Sequence, residues 1–104
     1  MIKVITGYRI KEGQDIEPIL FKLRSHAMTF RGFVGSENLL GESDRRIVAT
    51  ATSWEKGENW REWENSGIRQ AILRELRPLL EEEPRITIYR IMPATGWQFT
   101  LRSS

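Results

Sequence analysis

Residues 2–10 alternate Ile2, Val4, Thr6, Tyr8 and Ile10 against Lys3, Ile5, Gly7 and Arg9, and from Asp15 onward the apolar spacing changes. Ile16, Ile19, Leu20, Leu23, Ala27 and Phe30 then fall on one helical stripe, with Gly13 before it and Arg31-Gly32 closing it. This switch of period from 2 to 3.6 predicts a half-buried strand followed by an amphipathic helix. Residues 33–40 and 45–54 return to strand character. The turn between them is "GESD", and "RRIVATATSW" is rich in β-branched residues, so the pair reads as a hairpin. A short helix carrying Trp60 and Trp63 follows. A longer helix begins near Asn65 or Ser66, with Ile68, Ala71, Ile72, Leu76 and Leu79 on one side, and Pro78 ends or bends it. After the solvated run Glu81–Glu83, "RITIYRI" reads as a last buried strand.

The order strand, helix, strand, strand, helix, strand is an α+β, ferredoxin-like βαββαβ arrangement, an antiparallel sheet with its helices on one face. The opposite face keeps Ile5, Gly7 and several Ala or Thr positions, and a second copy packing sheet against sheet, a homodimer, is its simplest cover. A chain of 12.2 kDa with 39% hydrophobic residues fits one domain whose small core gains from such a partner.

Composition removes several classes of function. With no cysteine, disulfides, thiolate nucleophiles and Cys-ligated metals are excluded, which agrees with a cytoplasmic setting. No leader pattern opens the sequence, and no apolar run reaches the ~18 residues of a membrane span, so no membrane association is expected. Sixteen basic and 14 acidic residues are well mixed and leave a net charge of +2, so no concentrated basic face for nucleic acid is expected. "RGFVGSE" from Arg31 has the look of an RNA-recognition motif, but the third strand offers Ile47, Val48, Ala49, Thr50 and Ala51 in place of stacking aromatics. The three consecutive glutamates diverge on a helix end and lack a His or Asp partner, so no metal site is expected there.

The stretch "YRIKEGQDIEPILFKLRSHAMTFRGFVGSENL", the hairpin ending in "TSWEKGENWREWENS" and the final "ITIYRIM" resemble the antibiotic biosynthesis monooxygenase domain, a dimeric α+β barrel. The similarity extends to about Met92. It departs at turns, with Arg31 where relatives often have Pro and Lys11-Glu12-Gly13 in place of Pro-Gly. The resemblance implies a cofactor-independent monooxygenase, using neither flavin nor metal, that acts on a small aromatic or quinol. It also implies that Asn59 and Trp63, one helical turn apart, line the reaction chamber as its catalytic pair. A non-catalytic small-ligand-binding or interaction module of the same fold is the alternative.

Among substrate-binding candidates, Tyr8 is the best hydroxyl donor, Thr6 shares its strand face, Trp60 accompanies Trp63, and His26 is the sole imidazole. The haem-degrading branch of the resemblance would require a His where this chain has Leu73 and an Asn where it has Thr6, so haem is not expected as a cofactor. Small Gly7, Ala49 and Ala51 are expected to leave room for a ligand beside Trp63. The domain is expected to span residues 1–92. Residues 93–104 follow it as an arm in which Trp97, Phe99 and Leu101 alternate with polar residues, a pattern suited to a strand exchanged onto the partner's sheet.

Overall fold

The structure, a computed structural model, describes residues 1–92. The expected arm, 93–104, lies outside the described residues. The elements are β1 (Ile2–Arg9), α1 (Glu17–Ala27), β2 (Phe33–Leu40), β3 (Ile47–Trp54), α2 (Gly57–Glu64), α3 (Gly67–Leu76) with a 3-10 turn at Arg77–Leu79, and β4 (Arg85–Arg90). The sheet is antiparallel in the order β2-β3-β1-β4. This is the ferredoxin-like arrangement that the change of period predicts.

Local chemistry sets the boundaries. Asp15 Oδ1 accepts the Glu17 N–H at 3.0 Å before α1, and Pro18 occupies its first turn, where a missing donor costs nothing. Between α2 and α3, Ser66 Oγ donates to the Trp63 carbonyl at 2.7 Å and accepts the Arg69 N–H at 3.2 Å. One hydroxyl thus closes α2 and caps α3, which fixes Trp63 and Arg69 relative to each other. Pro78 falls in the 3-10 turn, where the helix tightens and stops.

Cross-strand partners share a sheet face, so the register assigns every strand residue to a side. Val4, Thr6 and Tyr8 of β1 stand opposite Thr52, Thr50 and Val48 of β3 and look toward the helices. Ile5 and Gly7 stand opposite Ala51 and Ala49 on the other side. The helix-side core forms two clusters. One gathers Tyr8, Ile10, Ile16, Leu20, Val48, Leu73, Leu76 and Leu80. The other gathers Val4, Ala27, Trp54, Trp60 and Trp63, flanked by Phe30 and Phe33. Aromatic rings in the second cluster meet edge to face, Phe30 with Trp63 at 5.0 Å, Phe33 with Trp54 at 5.3 Å and Trp54 with Trp60 at 6.1 Å between centroids.

Three expectations are corrected. β4 forms where "RITIYRI" places it, but all of its residues are exposed. It is an edge strand paired only to β1, and its Ile86 and Ile88, opposite Thr6 and Val4, are not covered by the helices. The buried stripe of α3 is Arg69, Ile72, Leu73 and Leu76, while Ile68 and Ala71 are exposed. Residues 69, 72, 73 and 76 satisfy the i, i+3, i+4, i+7 spacing better than the apolar set chosen by residue type. Gly7, Ala49 and Ala51 face away from the helices, so they make no room beside Trp63.

Candidate ligand cavity

Space beside Trp63 arises instead from polar side chains on the helix-facing side of the sheet. Ser36 stands opposite Thr52, Asn38 opposite Thr50, and Thr50 opposite Thr6, which sets one polar row across β2, β3 and β1 and a second across β2 and β3 that ends at Val4 of β1. These short side chains line a cavity between sheet and helices, closed by Leu20, Leu23, Arg24 and Ala27 from α1, Trp60 and Trp63 from α2, Arg69 from α3 and Tyr8 from β1. Its walls draw on both apolar clusters, so it lies on the seam between them. About 40 Å³ is open to the centres of water-sized molecules, space for about three waters at ~10–15 Å³ each.

Of the residues singled out in the sequence, Trp63, Trp60, Tyr8 and Thr6 line this cavity. Asn59 and His26 are not among its lining residues. Asn59 is buried, but its Oδ1 accepts the Lys56 N–H at 3.1 Å and its side chain packs against Gly32, so its polar atoms serve the start of α2. His26 lies on α1 to one side of the buried Leu20 and Ala27.

The remaining polar wall residues went unread in the sequence: Ser36, Asn38, Thr50, Thr52, Arg24 and Arg69. A signal for the first four was present. Polar residues recur at period two on the face where a covered sheet normally carries apolar ones. Arg69 was hidden by its residue type.

Arg69 is 6% exposed, with its guanidinium carbon 5.2 Å from the Trp60 ring centroid and Nη1 donating to the Glu64 carbonyl at 3.3 Å. Burial holds its pKa below the ordinary arginine value, and the neighbouring Tyr8 and Glu64 draw it partly back. Burial likewise pushes the Tyr8 phenol above its usual value, opposed by the Thr50 hydroxyl, the Arg69 charge and the Thr6 hydroxyl. At neutral pH Tyr8 is therefore a protonated hydrogen-bond donor, unsuited to the role of base. Two polar atoms of the walls, Ser36 Oγ and Trp60 Nε1, are buried without a hydrogen-bond partner among the described residues. The contrast with Trp54 is informative, since its Nε1 donates to Thr52 Oγ1 at 3.0 Å. No group of three or more His, Cys, Asp or Glu able to hold a metal occurs among the described residues. No helix among them is long and apolar enough to cross a membrane.

A ferredoxin-like α+β domain with a small cavity under its helices is the class that fold and site define. Within it, the chain has the fold of the antibiotic biosynthesis monooxygenase-like proteins. No protein-family model matches the sequence, and no curated protein is significantly similar to it. The similarity is structural. A cofactor-independent oxygenase from Streptomyces nogalater, SnoaB, superposes with a TM-score of 0.80 at 11% identity, over 91% of this chain and 96% of that one. An antibiotic biosynthesis monooxygenase-like protein from Bordetella bronchiseptica gives 0.78 at 18% identity, over 88% and 97%. A conserved protein from Methanosarcina mazei Go1 gives 0.80 at 18% identity, over 88% and 92%.

Proposed function

We propose that the protein is a cofactor-independent monooxygenase acting on a small hydroxyaromatic or quinol. The observation that carries this reading is the cavity itself, which sets the indoles of Trp60 and Trp63 beside a buried phenol and a buried guanidinium. An ionised hydroxyaromatic can pass an electron to dioxygen without an added redox group. Recombination at a ring carbon then gives a peroxide, and loss of water leaves one oxygen atom on the ring and the other in the water. The protein has to fix the ring, exclude solvent and stabilise the negative charge. Trp63 and Trp60 supply the wall, Tyr8 and the threonine hydroxyls supply hydrogen bonds to the ring oxygens, and Arg69 supplies a buried positive charge. The fold shared with a cofactor-independent oxygenase supports the same reading.

One observation favours the alternative, a binding module without catalysis. The cavity walls contain no carboxylate or imidazole among the described residues, so a base must be dispensable. The two readings separate by oxygen consumption with hydroquinone and naphthohydroquinones, no cofactor added. Catalysed uptake that falls at least about tenfold in Trp63→Phe supports the enzyme. Quenching of tryptophan fluorescence by these rings with no uptake above the uncatalysed rate supports the module.

We further propose that the helix-free face of the sheet is covered by a second copy, completing a dimeric barrel. Leu39 and Ile47 are 47% and 44% exposed there, beside Ile5, Ala49 and Ala51 in the rows set by strand pairing. Sedimentation is expected to return a dimer, and Ala49→Arg is expected to shift it to monomer; a wild-type monomer at tens of micromolar would refute this.

A further inference from the structure

The cavity carries two guanidinium groups, Arg24 and Arg69, and no carboxylate lines it among the described residues. Arg24 is exposed on α1, whereas Arg69 is buried and has no acidic group within ion-pair distance among the described residues. The chain's other arginines that form ion pairs do so at the surface. Glu64 is near enough to favour the charge but forms no ion pair with it, and one backbone carbonyl at 3.3 Å occupies only part of a five-donor fork. A second donor of the same wall is in a similar position. Trp60, 3% exposed and beneath the Arg69 guanidinium, has a buried Nε1–H with no acceptor among the described residues.

Two buried donors in one wall, one of them charged, call for an acceptor that carries negative charge. A planar carboxylate matches the fork of a guanidinium with two parallel hydrogen bonds. The space beside Trp63 is small, about 40 Å³ to the centres of water-sized molecules, and a single ring is the smallest aromatic group to place there.

We infer that the cavity takes a single-ring aromatic carboxylate, a hydroxylated benzoate, with its carboxylate on the Arg69 guanidinium and the Trp60 indole N–H and its ring against Trp63. This deepens the proposed function by naming the substrate class of the same cavity. The exposed Arg24 gathers anions at the wall facing solvent, and Arg69 holds the one that enters.

The test compares benzoate, 4-hydroxybenzoate and neutral benzamide by tryptophan fluorescence and calorimetry. Wild-type protein is expected to bind benzoate at least about tenfold more tightly than benzamide, as a charge-assisted pair requires. Arg69→Met keeps the apolar stem against Trp60 and is expected to abolish that preference, and Arg69→Lys to retain part of it. Arg24→Gln is expected to slow association and weaken its salt dependence while leaving the preference in place. Equal affinity of the wild-type protein for benzoate and benzamide would overturn the inference, and that comparison depends on no variant folding. Displacement of benzoate by an equal concentration of inorganic phosphate would also overturn it, since the site would then select charge without a ring. Oxygen uptake is read separately. A carboxylate preference without uptake from any hydroxybenzoate or quinol leaves this site standing and removes the oxygenase, and uptake from neutral quinols with no charge preference does the reverse.

Discussion

Trp54→Ala is expected to remove about 3–5 kcal/mol of stability, the range for deleting a buried aromatic side chain. Trp54 is 0% exposed, meets Phe33 and Trp60 edge to face, and its indole N–H is bound to Thr52. Truncation would leave a cavity that the neighbouring indoles cannot fill without losing their own packing. It would also leave the Thr52 hydroxyl without its donor at the wall of the ligand cavity. Small domains have only ~5–15 kcal/mol in total, so the variant should be largely unfolded in mild urea that leaves the wild-type chain intact. Urea titration followed by far-ultraviolet circular dichroism measures this; a loss below about 1 kcal/mol would mean that the tryptophan cluster is not a structural centre.

Gly32→Ala is expected to cost about 3 kcal/mol or more, for two independent reasons. Gly32 has φ of 83°, in the left-handed region that residues with a Cβ enter at a cost of ~1–3 kcal/mol. An added Cβ would also collide with the Asn59 side chain, and overpacking of this kind costs ~1–3 kcal/mol. Asn59→Ala alone should cost about 1 kcal/mol through the lost bond to the Lys56 N–H. In the double variant the overlap with the Asn59 amide disappears while the overlap with its Cβ and the backbone cost remain, so the two changes should sum to less than their separate effects. Thermal melts of the three variants test this. Simple additivity would show that Gly32 and Asn59 do not touch, and an Asn59→Ala change that abolishes ligand binding with stability intact would return Asn59 to the cavity.

The element order was legible because each element announces its own period. Ile2 to Ile10 has the strand alternation, Ile16 to Phe30 the helical stripe, and Ser66 and Pro78 mark where α3 starts and stops. Register was not legible. The alternation of β1 already sets Gly7 beside Ile5 away from the helices, but which β3 residues share that face is fixed only by register, which puts Ala49 and Ala51 there and leaves the room for a ligand to Thr6, Thr50 and Thr52. Half of the cavity wall escaped for a related reason. Trp63, Trp60 and Tyr8 draw notice as large aromatic side chains, whereas Ser36, Asn38 and Thr52 gain meaning only once the face they occupy is known. Arg69 was missed because an arginine on a helix is ordinarily solvated. Its burial depends on the turn of the α3 stripe, which Ile72, Leu73 and Leu76 set together. Asn59 entered through the resemblance, which pairs it with Trp63; the structure shows its Oδ1 on the Lys56 N–H and its side chain against Gly32, contacts with the helix start and a loop that no spacing in the sequence announces.

The division of the core by a band of hydroxyls and an amide bears on cooperativity. Hydrophobic contact graphs of small domains usually form one connected body, but here the cluster around Tyr8 and Leu76 and the cluster around Trp54 and Trp63 meet on the sheet side across polar rows, with Leu23 of α1 packed against both. Each end of the sheet can then loosen with the other still packed, and amide hydrogen exchange should divide the strands along that band. A guest seated on it would touch both halves at once and join them, so the loss of empty space and the gain of rigidity would be the same event.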